Sequence, residues 1–203
     1  MTQTRRMGVE GSQRRTLFID AAEEILRTEG YMAISARQVA AKAGLKTQLL
    51  YYYFLTMDEL ILAVVRRINQ RRQQRFDEAL LSSADPLRAL WALASDPSSA
   101  TMSAELTAIA THRETIRAEI VRSAQEFRAL QVAAVSRLLG HDDDSDNPAA
   151  GIVMIAVGLA RSIIAESALG LTDGHHEALM IVERVLKDLS RTASARASST
   201  AAG

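Results

Sequence analysis

A chain of 203 residues can hold one ordinary domain or two small ones, and the absence of cysteine excludes disulfides and thiol chemistry. The formal net charge is zero, yet residues 1–75 carry 13 Lys and Arg against 7 Asp and Glu, and residues 76–203 carry 11 against 17. A basic N-terminal third followed by an acidic remainder is typical of a DNA-binding domain joined to a domain with another task.

Membrane insertion and catalysis find little support in the sequence. The first 15 residues are polar and contain no secretory signal. The uncharged run 147–160 ends at Arg161 and is shorter than the roughly 20 apolar residues that a membrane span needs. We find no Ser/His/Asp set, metal-ligand cluster or Gly-rich phosphate loop, so we expect a cytoplasmic protein that needs no cofactor and is not an enzyme.

Nearly the whole chain is predicted to be helical, because Gly and Pro fall between segments and no long stretch alternates apolar and polar residues. The first helix covers residues 12–29, with Leu17, Ala21 and Ile25 on one apolar stripe and Gly30 as its stop.

Two short helices with a glycine between them follow in residues 35–54. Ser35 with Gln38 forms a capping box at the first, and Gly44 provides the left-handed residue that ends it. The second helix is too short to be stable alone, so we expect Leu50 and Phe54 to be buried on its inner side. Two helices joined by a tight Gly turn are typical of a helix-turn-helix, which predicts DNA binding.

The remaining helices predict a larger helical body. A capping box of Thr56 and Glu59 opens a helix towards residue 80, and further helices start at Pro86, at Pro97 and near residue 113. The helix 148–169 is apolar almost all round, which predicts burial against a partner subunit. The helix 174–189 has apolar residues at alternating three- and four-residue spacing, as in the seam of a helix bundle; these are Leu179, Val182, Leu186 and Leu189.

Together these patterns predict four parts of the chain. Residues 1–11 form a flexible basic arm and residues 12–56 a helix-turn-helix domain. Residues 57–191 form a ligand-binding and dimerisation domain. The small polar residues of 192–203 predict a disordered tail.

Residues 15–67 resemble the N-terminal domain of TetR-type (tetracycline-repressor-like) bacterial regulators. The matching segments are AAEEIL at 21–26, EGY at 29–31, S-x-x-x-V-A at 35–40, AGL at 43–45, LYYYF at 50–54 and DEL at 58–60. The resemblance implies an all-α protein with an N-terminal three-helix helix-turn-helix DNA-binding domain and a C-terminal helical ligand-sensing and dimerisation domain.

The resemblance also implies a mode of action. A homodimer, formed through the last two helices, would place two recognition helices about 34–36 Å apart on a pseudo-palindromic double-stranded DNA operator. A small hydrophobic effector would enter the body, pull the fourth helix and release this repressor from DNA. An activator without small-molecule sensing, or a helical enzyme or scaffold with an incidental helix-turn-helix, is the alternative.

Candidate DNA-binding residues lie on the two short helices. Thr47 and Gln48 occupy the first turn of the second helix, where Gln can pair with adenine and Thr can contact a base or a thymine methyl. The alternative is that both residues contact only phosphate or water, without reading a base. Arg37 matches a position that reaches a base or the backbone in the family, and a solvated arginine near phosphate is its alternative.

Phosphate contacts are expected from the three consecutive tyrosines. The resemblance implies phosphate contacts by Tyr51 and by Tyr53, whereas one ring among Tyr51, Tyr52 and Tyr53 belongs in the core. Lys46 adds a cation, as does a basic cluster made of Arg5, Arg6, Arg14 and Arg15, for which a merely basic tail is the alternative.

The sequence departs from the family pattern at four positions. Lys46 stands where Ser or Thr caps the recognition helix, and Gln48 replaces a common Gly. Leu55 and Met57 replace polar or basic residues, the latter a phosphate-binding Lys. The amides at the start of the fourth helix could still meet a phosphate.

A ligand cavity in the body is predicted from bulky apolar residues on separate helices, which are Trp91, Met102, Phe127 and Met154. Simple core packing is the alternative for each. Arg161 and Glu166 interrupt an apolar helix and could orient a ligand or pair at a subunit interface.

No metal site is expected. Asp142, Asp144 and Asp146 resemble the start of a calcium loop, but the Gly and the closing Glu of such a loop are replaced. His175 and His176 are adjacent, so their side chains point apart.

Overall fold

The computed structural model of the chain describes residues 13–140 and 148–201, and the regular structure in these ranges is entirely helical. This confirms the all-α prediction. A short 3₁₀ turn at Tyr31–Ala33 lies between the first two helices. In chain order the helices are α1 (Gln13–Thr28), α2 (Ala36–Lys42), α3 (Thr47–Tyr53), α4 (Met57–Ser82), α5 (Pro86–Ala94), α6 (Pro97–His112), α7 (Glu114–Leu139), α8 (Ala149–Ala168) and α9 (His175–Ala201).

The helices form two compact units. Among the described residues, the first unit comprises those up to Arg72 together with Thr101–Ser123, and the second comprises Gln73–Ala100 together with those from Ala124 onward. The division falls inside α4, α6 and α7, and the first half of α4 is part of the first core. The predicted flexible arm, residues 1–11, lies outside the described residues.

The first unit is built around apolar side chains of α1 to α4. Phe18, Ile25 and Leu50 are at most 1% exposed, and the buried apolar side chains of α4 belong to the same cluster. Residues of α6 and α7, including Ile109 and Ile116, complete the same cluster. Burial of each such side chain contributes about 1.5–3 kcal/mol, which is what holds helices as short as α2 and α3.

The second unit has a smaller core contributed by four helices. Its buried members are Leu87 of α5, Val135 and Leu139 of α7, Ala149 and Val153 of α8, and Leu186 of α9. Val182 and Leu189 of the predicted seam pack against this cluster, whereas Leu179 is 40% exposed.

The end of the chain corrects one prediction. Helix α9 continues to Ala201 and so includes most of the segment 192–203, for which disorder was predicted. Its many Ala residues and its arginines are good helix formers, so a helix already started by packing can propagate through them.

Candidate nucleic-acid interface and ligand cavity

The turn between α2 and α3 is fixed by hydrogen bonds at both ends of α2. The backbone N–H of Gln38 donates to Ser35 Oγ at 3.3 Å, which caps the start of the helix. At its end Gly44 has φ +65°, and the N–H groups of Gly44 and Leu45 donate to the carbonyls of Ala41 and Ala40 at 3.1 and 2.9 Å. This pair of bonds is the Schellman motif, and it sets the direction in which the chain enters α3.

Helix α3 buries one side and exposes the other. Leu50 is fully buried and the following Phe54 is 1% exposed, which confirms the predicted inner side. In the first turn Lys46 and Gln48 are exposed and Thr47 is half-buried. Lys46 occupies the N-cap without a side-chain hydrogen bond to the helix, so the side chain that departs from the family pattern does not cap α3.

The three tyrosines separate into two environments. Tyr51 and Tyr52 are 47% and 51% exposed, and both are available to an external partner. Tyr53 is half-buried and packs on the core, with its ring centroid 6.2 Å from that of Phe18 and 5.2 Å from that of Tyr52. The core member of the triplet is therefore Tyr53.

The predicted cations take different positions. Arg37 is exposed at the start of α2, and exposed Arg14 shares a shallow depression with Lys46, Gln48 and Tyr52. The guanidinium of Arg15 instead lies 4.9 Å from the centroid of the Phe54 ring. Arg5 and Arg6 lie outside the described residues.

A cavity of about 330 Å³ lies within the second unit, between α5, α7, α8 and α9. Its walls are aliphatic side chains together with Trp91, and none of its lining residues is charged. The polar side-chain groups in the lining are the Gln131 amide and the Trp91 indole N–H. A concave, mostly apolar site of this size is typical of small-molecule binding.

The structure does not bring the four predicted pocket residues together. Trp91 lines the cavity, but Met102 packs against the core of the first unit. Phe127 packs edge-on against Phe76, with 5.2 Å between ring centroids, and Met154 is 59% exposed. Bulky residues were correctly expected on separate helices, but helix rotation decides which of them face the cavity.

Sequence comparison identifies the N-terminal part of the chain. The family model "Bacterial regulatory proteins, tetR family" matches residues 18–64, which span the helix-turn-helix and its flanking helices. The helix-turn-helix part of the chain therefore matches the tetR family. The HTH-type transcriptional regulator EthR of Mycolicibacterium smegmatis (strain ATCC 700084 / mc(2)155) is 30% identical over 81 residues. That match spans 39% of this chain and 37% of the length of EthR.

Solved structures extend the likeness of fold to the rest of the chain. A Pseudomonas aeruginosa PAO1 protein has a TM-score of 0.69 at 21% identity, covering 97% of this chain and 99% of its own. A TetR transcription regulator from Haloarcula marismortui ATCC 43049 has a TM-score of 0.63 at 17% identity, covering 92% and 97%. A Saccharomonospora viridis protein in complex with choline has a TM-score of 0.65 at 15% identity, covering 77% and 85%.

The start of α4 differs from what the tetR-family resemblance led us to expect. The N–H of Glu59 donates to Thr56 Oγ1 at 3.1 Å, and the N–H of Leu55 donates to the Glu59 carboxylate at 2.9 Å. Two amides near this helix start therefore have internal acceptors. Asp58 and Glu59 also place acidic groups in the first turn, which makes it a poor place for phosphate.

A polar contact set in the first unit was missed by sequence reasoning. The N–H of Tyr31 donates to Glu105 Oε2 of α6 at 2.8 Å. Arg113 Nε donates to the Tyr31 hydroxyl at 2.8 Å, and the same guanidinium pairs with Asp58. The partners are 55 to 82 residues apart in sequence, so no local pattern could have revealed them.

The remaining charged candidates do not form a metal site or a ligand-orienting pair. Arg161 is exposed, and Glu166 accepts from Ser162 Oγ at 3.0 Å and is hydrogen-bonded to His175 Nε2 at 2.8 Å. Among the residues that the structure describes, no group of three or more His, Asp or Glu side chains could hold a metal ion. The aspartates of residues 142–146 lie outside that part of the chain.

Helix α8 (Ala149–Ala168) lies where the sequence predicts an apolar helix, 148–169. Within the described ranges it is long and apolar enough to cross a membrane, by length and composition only. Its mean hydropathy is 1.8, and 17% of its apolar stretch is buried. The membrane argument from the sequence used only the uncharged run that ends at Arg161, whereas the helix itself continues to Ala168. The core helix of a soluble protein can have the same length and hydropathy. Much of its surface therefore lacks a covering element in the single chain.

Proposed function

We propose that the chain is a transcriptional repressor that binds a pseudo-palindromic operator as a homodimer and is released by a small apolar ligand. The observation that carries the proposal is the exposed first turn of α3, held on a tetR-family helix-turn-helix whose other side is fully buried. Such a turn can enter a major groove without any rearrangement of the domain.

Each exposed group near this turn has a proposed role. Gln48 and Thr47 contact base edges, and Arg37 contacts a base or the backbone at the edge of the site. Lys46 and the two exposed tyrosines bind phosphates, which fixes the register of the protein on DNA without reading sequence. The core position of Tyr53 makes its proposed phosphate contact secondary to its packing role.

Dimerisation is proposed through α8 and α9. One face of α8 carries Gly151, Ile155 and Gly158, all exposed, and a side chain added at either glycine would meet no atom within 4 Å. On α9 Ile181 and Val185 are 61% and 47% exposed. Small residues allow two helices to approach closely, and the bulky residues beside them supply apolar area, so a second copy can bury both faces.

Ligand release is proposed to work through the helices that run from one unit into the other. Helix α4 begins beside the helix-turn-helix and ends at Ser82, within the unit that contains the cavity. A ligand that fits the cavity better in one arrangement of the dimer shifts the population towards it, and only by that difference in affinity. The two helix-turn-helix domains of the dimer then leave the spacing of about 34–36 Å that successive major grooves require.

Selection from a randomised duplex pool across a salt series tests the DNA-binding part. We expect enrichment of a palindrome and a steep loss of affinity with salt, because several phosphates are neutralised. Gln48→Ala should relax the preference at one base pair per half-site, at a cost of about 1–3 kcal/mol for that pair.

Gln74→Ala is the matched control, since it makes the same substitution at an exposed position of α4 outside the helix-turn-helix. Binding without an enriched sequence would contradict base reading by α3. No binding at any salt concentration would leave the helical scaffold as the better description.

A further inference from the structure

The cavity of the second unit has an open side that coincides with the apolar faces of α8 and α9. Its lining includes Ile155, Ile181 and Val185, which are 72%, 61% and 47% exposed in the single chain. Its floor is buried, with Leu87 and Val153 at 6% and 5% exposure. The same side chains are therefore both a wall of the cavity and part of the surface proposed for dimerisation.

From this overlap we infer that the ligand site is shared between two copies of the chain: the second copy closes the cavity, and the enclosed ligand is an uncharged apolar molecule. The inference rests on the proposed homodimer and goes beyond it, because a dimer could equally enclose no ligand or leave the cavity independent of the second copy.

The exclusion of charged ligands follows from the lining. No lining residue carries a charge, and closing the open side removes the remaining water. A buried charge without a partner costs several kcal/mol, so carboxylates and ammonium ions are disfavoured. Gln131 and the Trp91 N–H leave room for one or two hydrogen bonds. At the packing density of protein interiors the volume takes roughly 15 non-hydrogen atoms.

A shared wall makes ligand binding and dimerisation depend on each other. A ligand that touches both copies binds the dimer more tightly than the monomer, so by linkage it must strengthen dimerisation by the same factor. A cavity walled by one chain alone would bind ligand equally in both states.

The test uses the full chain and the fluorescent probe N-phenyl-1-naphthylamine. Two charged molecules serve as comparison ligands. The anion is 8-anilinonaphthalene-1-sulfonate, which has the same ring system with a sulfonate, and the cation is choline. We expect saturable binding of the neutral probe at least about tenfold tighter than of either ion. Gln131→Leu should weaken the neutral probe by about 3- to 10-fold, the loss of one hydrogen bond.

Two variants locate the site and the role of the second copy. Ala94→Phe fills the cavity from α5 and should abolish probe binding, whereas Ala92→Phe, at an exposed position of the same helix, should not. Gly158→Glu places a charge on the exposed face of α8 outside the lining, and its fold is checked by circular dichroism. It should be monomeric in sedimentation and bind the neutral probe at least about tenfold more weakly.

Each result bears on the inference separately from operator binding, which is measured without probe. Equal probe affinity of monomer and dimer, equal affinity for the sulfonate, or a Gly158→Glu protein that stays dimeric would overturn it. A dimer that binds no probe, or that the probe dissociates, would show that side chains of the second copy fill the cavity. If the wild-type protein bound no operator, the proposed function would be refuted, but the probe-binding and dimerisation results would still test the shared cavity.

Discussion

Gly44 controls the angle between α2 and α3, because its φ of +65° allows the two hydrogen bonds that close α2. An added Cβ would meet no atom within 4 Å, so the cost of a substitution here is conformational rather than steric crowding with neighbours.

Gly44→Ala should therefore lower the free energy of unfolding by about 1 kcal/mol, measured by urea denaturation at fixed protein concentration. Gly44→Asn should lose less, because asparagine tolerates the left-handed conformation better than alanine. An alanine variant as stable as the wild type would show that the turn can change its conformation without cost.

Glu119 is a buried acid of the first unit. Its side chain is 9% exposed and accepts from Arg66 at 3.2 Å and from Arg122 at 2.6 Å. The hydrogen bond from Arg66 lowers the pKa of Glu119 most, burial opposes it, and Arg122 lowers the pKa further. Because the pKa is lower in the folded state, the ionised carboxylate stabilises the fold above the ordinary Glu pKa of about 4.3.

Glu119→Gln should consequently be less stable than the wild type at neutral pH, and the difference should shrink as the pH falls below about 4 through the lowered pKa. Urea denaturation at a series of pH values measures this. Glu114→Gln, at an exposed acid on the same helix, is the control and should show almost no such trend. A constant difference across the series would show that the loss at residue 119 is not a titration effect.

At the scale of elements, α6 and the start of α7 tie down the segment that leads into α2. Glu105 accepts the N–H of Tyr31, and Arg113 donates to the Tyr31 hydroxyl. These contacts belong to the part of α6 that lies in the first unit, from Thr101 onward, so a movement of this part would act directly on the residues before the helix-turn-helix.

Glu105→Ala should lower the free energy of unfolding by about 1–3 kcal/mol, since it leaves the partly buried N–H of Tyr31 without its acceptor. It should also speed hydrogen exchange at that amide, which a general loss of stability would not do selectively. Thr107→Ala, at an exposed site on α6, is the control. Unchanged exchange at Tyr31 would mean that the amide finds another acceptor.

At the scale of the whole molecule, the proposed dimer would set the affinity for the proposed operator. A monomer can occupy one half-site only and makes about half of the phosphate contacts, so both its affinity and its salt dependence fall.

Gly158→Glu should therefore reduce operator affinity and roughly halve the slope of log affinity against log salt, measured by anisotropy on a labelled duplex. Ala118→Glu adds the same charge at an exposed position of α7 and should leave the slope nearly unchanged. A Gly158→Glu protein with the wild-type slope would place the dimer interface elsewhere.

The sequence alone determined the features that depend on neighbours along the chain. The caps at Ser35 and Thr56, the glycine stop at Gly44 and the buried side of α3 follow from spacing, and all are present in the structure. The motifs within residues 18–64 were sufficient to relate this part of the chain to the tetR family.

Only the tertiary structure decided which distant side chains meet. Helix rotation set Trp91 in the cavity and Met154 on the surface, and packing drew Met102 into the other unit. The Tyr31 contacts and the overlap of the cavity with the α8 and α9 faces join residues far apart in the chain. Apolar periodicity shows that a helix face is buried but not against which partner, and that is the physical reason why these features required coordinates.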